Sequence, residues 1–176
     1  MIRQAIPTDK EKVCDLILMA SSCVFEDVLQ TNDLKKEKDL LMKYYDLPNT
    51  KFNYKNIIVY EQDNDIAGCL VFYDSDNEIA MNQTMESILD NNYKYAVEAV
   101  PGTIYLDSIA VDTKFQGLGI SKKLFEYAIN KSNKDLSLLV ETYKTNVEDY
   151  YKRLGFEVVE KVYSFNCEFD LMILRK

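Results

Sequence analysis

The sequence predicts a mixed α/β fold: one domain over residues 1–176, with a central, mostly antiparallel mixed sheet of about six to seven strands flanked by helices on both faces. Three observations carry this. Runs rich in β-branched and aromatic residues recur from Ile2 to Leu174, interleaved with stretches whose apolar residues fall at helical spacing. The apolar run Ile104–Val111 feeds a glycine-bearing loop that opens into a helix. The chain ends on two strand-like runs, Phe156–Tyr163 and Cys167–Leu174, which close as a hairpin around Ser164, Phe165 and Asn166. No internal repeat or low-complexity linker marks a domain boundary.

Ile2–Ile6 reads as a first strand, ended by Pro7. Thr8 and Glu11 stand at capping-box spacing, so a helix starts there and buries Val13, Leu16, Ile17 and Ala20. Ser21–Asp33 is mixed, with Phe25, Val28 and Leu29 among Glu26, Asp27 and Asp33. A second helix, Leu34 to Tyr45, stops ahead of Pro48 because the residue before a proline avoids the helical region. Asn56–Glu61 and Ile66–Tyr73 are strands joined by the polar turn Gln62–Asp65. Residues 74–102 are the least patterned; Met81, Met85, Ile88 and Leu89 mark an amphipathic helix before an Asn-rich patch and Val100-Pro101-Gly102. Ile104–Val111 is a largely buried fourth strand, and Ile120, Leu124, Tyr127 and Ala128 share one face of the helix that ends near Ile129. Leu136–Glu141 is a fifth strand. Asn146–Phe156 reads as a short helix closed by Gly155 in a left-handed cap, with Phe156 folding back onto the preceding turn.

Composition excludes several classes of function. With 176 residues and 47% apolar content, the chain builds a substantial core and is not a disordered segment. No run approaches the ~20 apolar residues of a membrane helix, and Met1-Ile2-Arg3-Gln4 lacks the layout of a signal peptide. Twenty-one basic against 29 acidic residues, a net charge of −8, argues against general nucleic-acid binding. Cys14, Cys23, Cys69 and Cys167 form no C-x-x-C pair and the chain has no histidine, so neither a zinc site nor a disulfide framework is expected. The expectation is a cytoplasmic protein with reduced thiols and no metal.

The glycine loop carries the chemistry. A strand that runs into Gln116-Gly117-Leu118-Gly119-Ile120-Ser121 and then a helix aims backbone N–H groups and the positive helix end at one point, a geometry that attracts phosphate. It is not a P-loop, since no Gly-Lys-Ser/Thr follows, and it lacks the third glycine of the dinucleotide fingerprint. The hexapeptide resembles the pyrophosphate-binding motif Q/R-x-x-G-x-G/A of the GNAT superfamily of acyl-CoA-dependent N-acetyltransferases. Asn146 to Phe156, with its Tyr-Tyr pair and Leu-Gly-Phe, resembles that family's later element. The two stand in the family's order, and the resemblance covers most of the chain. Ser121 departs from the motif's last position but is small enough to fit, and its hydroxyl can donate to a phosphate.

The resemblance implies a GNAT-like fold and transfer of an acetyl group from acetyl-CoA to a primary amine, small-molecule or peptidic, by direct attack in a ternary complex. It implies a monomer or homodimer with no nucleic-acid or membrane partner. The alternative is a catalytically inactive acyl-CoA-binding module acting as a sensor or interaction module. Cofactor contacts then fall to Ile109, Ala110 and Val111 beside the pantetheine and acyl carbonyl, and to Gln116, Gly117, Leu118, Gly119, Ile120 and Ser121 around the pyrophosphate. Of the lysines near the loop, Lys122 is the phosphate candidate; Lys114 flanks it, and Lys123 and Arg153 read as solvated helix surface. Asn146 matches the family's pantetheine-contacting Asn but stands nearer the tyrosine than in many members, and it also suits a helix N-cap. Tyr151 falls on the family's usual tyrosine, a phenol that can protonate the departing thiolate at neutral pH, whereas Tyr150 reads as core. Asp107, a carboxylate inside an apolar strand, is either the base or the group that binds a cationic acceptor. Glu26 and Glu141 stand in reserve. In the resembled family the first two helices cover the acceptor site.

Overall fold

A seven-stranded sheet in the order β1-β2-β3-β4-β5-β7-β6 organises the chain. The computed structural model describes residues 1–21, 24–164 and 167–176. The strands are β1 (Ile2–Gln4), β2 (Ile57–Gln62), β3 (Asp65–Asp74), β4 (Ile104–Val111), β5 (Leu136–Glu141), β6 (Glu157–Ser164) and β7 (Cys167–Leu174). All neighbours pair antiparallel except β4 and β5, which are parallel. The helices are α1 (Lys10–Ala20), α2 (Val24–Leu29), α3 (Leu34–Asp46), α4 (Glu78–Glu86), α5 (Ile120–Lys131) and α6 (Thr145–Arg153). The expected mixed sheet with helices on both faces is what forms. Cys23 and the hairpin residues Phe165 and Asn166 lie outside the described residues.

Side-chain alternation along the central strands divides the core in two. Ile57, Val59, Cys69 and Val71 face α1, α2 and α3 together with Val13, Ile17, Phe25, Leu41 and Tyr44. Ile58, Leu70, Leu106, Leu138 and Met172 face the other way, onto Ile120, Leu124, Phe125 and Ala128 of α5 and Tyr151 of α6. Phe125 joins the α5 face in place of the half-buried Tyr127 that the spacing nominated. The β2–β3 turn has Asp63 and Asn64 at φ 53° and 62°, the left-handed pair of a tight hairpin turn.

Three local expectations are corrected. The Thr8/Glu11 capping box does not form, because Pro7–Asp9 is a 3-10 turn and Asp9 is drawn away from the helix end. Its carboxylate accepts from the Ile6 N–H at 2.9 Å and pairs with Arg3 at 2.6 Å. Ala20 is exposed rather than part of the α1 core face, and it lines the cavity described below. Asn146 is not the cap of α6: Lys144 occupies that position and Asn146 lies exposed one residue inside the helix.

Two irregularities in the sheet position the site. β4 and β5 pair only at Ile104↔Leu136 and Tyr105↔Ser137, after which the ladder stops and the strands part. The β3–β4 register shifts between Val71↔Ser108 and Phe72↔Leu106, so Asp107 is the extra residue of a β-bulge. A bulge bends its strand and re-aims a side chain. The hydrogen-bonded sheet therefore opens at its centre, and Asp107 stands at the opening.

Candidate active site

Where β4 and β5 part, a cavity of about 430 Å³ lies between Asp107, Ser108 and Ile109 on one side and Leu139, Val140 and Glu141 on the other. Tyr151 of α6 closes it from one helical layer, and Met19, Ala20, Ser21 and Val24 cover it from the α1–α2 region. Of the expected site residues, Tyr151, Asp107 and Ile109 are thus brought together on one surface. Glu141 also lines the cavity, while Glu26 is exposed on α2 outside it.

Tyr151 is 8% exposed and held by aromatic edges, with ring centroids 5.3 Å from Phe125 and 5.9 Å from Phe156. The helix end that aims it is a Schellman motif. The Phe156 N–H donates to the Tyr151 carbonyl at 3.1 Å and the Gly155 N–H to the Lys152 carbonyl at 3.0 Å, with Gly155 at φ 97°. Burial, then Tyr150 and Glu141, pushes the phenol above its ordinary range, so it holds its proton at neutral pH. The hydroxyl donates to no group among the described residues and remains available to the cavity.

Asp107 accepts a hydrogen bond from the Ser108 hydroxyl at 2.7 Å and forms no ion pair among the described residues. Enclosure by the surrounding chain and the nearby Glu98 and Glu78 raise its pKa to about 6, against the lowering effect of Lys51 and of the Ser108 hydrogen bond. A carboxylate in that range exchanges protons near neutrality.

Behind Asp107 sits a charged cluster that sequence reading missed. Lys51, only 2% exposed, pairs with Glu78 at 2.9 Å and Glu98 at 3.1 Å. Glu78 is fully buried and also accepts from the Glu98 and Ala99 N–H groups, both at 3.0 Å, while the Tyr105 hydroxyl donates to Glu98 at 2.9 Å. Burial works against the Lys51 charge, but Glu98, Asp107 and Glu78 outweigh it and hold the ammonium protonated. Lys51 follows an Asn-Thr turn and Glu98 lies in the unpatterned stretch, so no periodicity announced either.

The glycine loop leaves β4 at the same end of the sheet. Gly117 and Gly119 have φ 80° and 70°, and a Cβ added at either meets nothing within 4 Å. Gly119 is the N-cap of α5, and the first helical acceptor is its carbonyl, taken by the Lys123 N–H at 3.2 Å. The N–H groups of Ile120, Ser121 and Lys122 therefore have no acceptor within the helix and open toward the loop. Gln116 and Leu118 are exposed, Val111 half-buried, and Ile120 and Ala110 buried. Lys122 is exposed and within 3.7 Å of Glu126, whereas Lys123 lies across Tyr60 and donates to its hydroxyl at 3.2 Å. Asn146 does not line the cavity. Among the described residues no group of histidine, cysteine or acidic side chains could hold a metal ion, and no helix is long and apolar enough to cross a membrane.

A split central sheet, an open glycine-bearing loop at the exit of the split strand, and a phenol and a carboxylate lining one cavity make up one site. Comparison with known proteins specifies it. Residues 53–158 match the family model described as Acetyltransferase (GNAT) domain, and the chain belongs to the GNAT acetyltransferase family. No curated protein matches the sequence. Among solved structures, one described as an acetyltransferase is 24% identical, covering 99% of this chain and 98% of its own, with a TM-score of 0.83. An N-acetyltransferase from Staphylococcus aureus Mu50 is 23% identical over 99% of this chain and 100% of its own, also with a TM-score of 0.83. A structure described as histone acetyltransferase HPA2 and related acetyltransferase from Corynebacterium glutamicum ATCC 13032 is 17% identical, covering 99% of this chain and 95% of its own, with a TM-score of 0.75. These likenesses establish the shared fold.

Proposed function

We propose that the protein transfers an acetyl group from acetyl-CoA to a primary amine by direct attack in a ternary complex. The observation that carries this is the meeting of Tyr151 and Asp107 on one cavity, at the point where β4 and β5 part. Acetyl-CoA supplies an activated thioester. The chain supplies a cradle for its diphosphate in residues 116–122, which the glycines keep clear of side chains. The β4 edge at Ile109–Val111, paired with β3 but without a β5 partner, borders the acyl group, and Ser121 and Lys122 stand at the phosphate end; the exposed Asn146 is carried as a further contact to the pantetheine arm.

Asp107 takes a proton from the incoming ammonium, leaving a nucleophilic amine, and Tyr151 donates to the sulfur as the C–N bond forms and the C–S bond breaks. The nitrogen loses two protons in all: one ends on the thiol through Tyr151, the other leaves through Asp107 to water. Cys14 and Cys69 are unsuited to a covalent relay, because both are buried and burial pushes both thiols up to about 12. The acidic lining around Asp107 favours a positively charged acceptor over a neutral or anionic one.

The test is release of free thiol from acetyl-CoA across a panel of amines. Turnover with at least one amine is the expected result. A thermal shift with acetyl-CoA but no release with any amine would favour a binding module in its place, and the absence of both responses would overturn the proposal.

A further inference from the structure

We infer that the acceptor is a monocationic amine carried on an apolar or aromatic body, not a polyamine or another multiply charged amine. This rests on the amine-acetylation reading above and concerns the same cavity. Four ionic side chains besides Asp107 reach its lining, and each is already engaged. Lys51 is held by Glu78 at 2.9 Å and Glu98 at 3.1 Å, and the second oxygen of Glu98 accepts from Tyr105 at 2.9 Å. Glu141 is paired with Lys144 at 2.8 Å. Asp107 is the one lining carboxylate that forms no ion pair among the described residues, so the cavity offers one seat for one ammonium.

Much of the remaining wall is of a different kind. Met19, Val24, Phe52, Leu139, Val147 and Phe169 present carbon to the cavity. An ammonium pressed against such a surface loses its hydration and gains no counter-charge, whereas a phenyl or alkyl group there gains by leaving water. The space of about 430 Å³ lies at the small end of ligand cavities and must also admit the acetyl end of the donor. Bulky polycations such as aminoglycosides are therefore disfavoured by size as well as by charge.

The inference predicts a specificity order and a way to invert it. With acetyl-CoA as donor, kcat/KM for phenethylamine and hexylamine should exceed that for spermidine and kanamycin by at least tenfold. Met19 is 48% exposed and lines the cavity from α1, so Met19→Glu adds a second carboxylate without touching the core. That variant should improve spermidine relative to phenethylamine by tenfold or more. Spermidine or kanamycin as the best wild-type substrate, or an unchanged ratio in Met19→Glu, overturns the inference while leaving amine acetylation intact. Turnover of no amine at all overturns the reading beneath it.

Discussion

Lys51 Nζ and Glu98 Oε1 lie 3.1 Å apart in the wall that also carries Asp107, and they act on that carboxylate with opposite sign. Glu98 favours the protonated form and Lys51 the ionised one, so the pair sets where Asp107 titrates. Glu98→Gln keeps an acceptor for Tyr105 but removes the raising charge. The expected outcome is an acid limb of kcat/KM displaced to lower pH from the wild-type position near 6, measured with a saturating acetyl donor. A limb that stays in place would detach Glu98 from the proton chemistry.

Asp107 should also trade stability for function. Its carboxyl titrates near 6 in the folded chain against 3.8 unperturbed, so the native state holds the proton more tightly. Folding stability from this group is therefore greatest below the unfolded value, declines between about pH 4 and 6, and is lowest once the group is ionised. Asp107→Asn removes that cost. At pH 8 it is expected to unfold about 1–2 kcal/mol less readily than wild type while losing the acid limb and most activity. A thermal melt that shows Asp107→Asn less stable at pH 8 would mean the ionised group is needed by Lys51 for the fold.

Tyr151→Phe separates chemistry from packing. The ring is wedged against Phe125 and Phe156, and its hydroxyl makes no hydrogen bond among the described residues, so the variant retains the contacts that stabilise the site. Its melting temperature should match wild type while kcat falls about a hundredfold or more, in the range of a lost general acid. Unchanged kinetics would remove the phenol from the reaction.

Legibility in the sequence followed the physical origin of each feature. β4, β5 and β7 were read with their observed bounds, because each concentrates apolar and β-branched or aromatic residues between polar, turn-forming stretches. Gly155 and Phe156 were legible because a left-handed cap demands a specific residue at a specific place. Tyr151 and Asp107 stood out through motif and through anomaly, an acid in an apolar strand. The Asp107 bulge and the parting of β4 from β5 were not legible, since they depend on how three strands register against one another. Lys51 and Glu98 were hidden for the same reason: a buried ion pair between residues 51 and 98 leaves no local pattern in either segment. Asn146 misled because it suits a cap in isolation, but Lys144 reached that position first.

The glycine cradle gives the last prediction. Gly119 adopts φ 70° with open space where a Cβ would stand, so Gly119→Val costs mainly backbone strain, about 1–2 kcal/mol. For a chain of this length that lowers the melting temperature by about 2–8 °C, leaving a folded protein to test. The branched side chain, however, occupies the approach to the N–H groups of Ile120 and Ser121. Wild type with acetyl-CoA at a hundred times Kd should gain ~2.7 kcal/mol, a clear upward thermal shift. Gly119→Val should lose that shift at the same concentration, and CoA lacking the acetyl group, which carries the same diphosphate, should stabilise wild type and likewise fail to stabilise the variant. A variant that keeps the full shift would place the diphosphate elsewhere, and the loop would then be only a turn between β4 and α5.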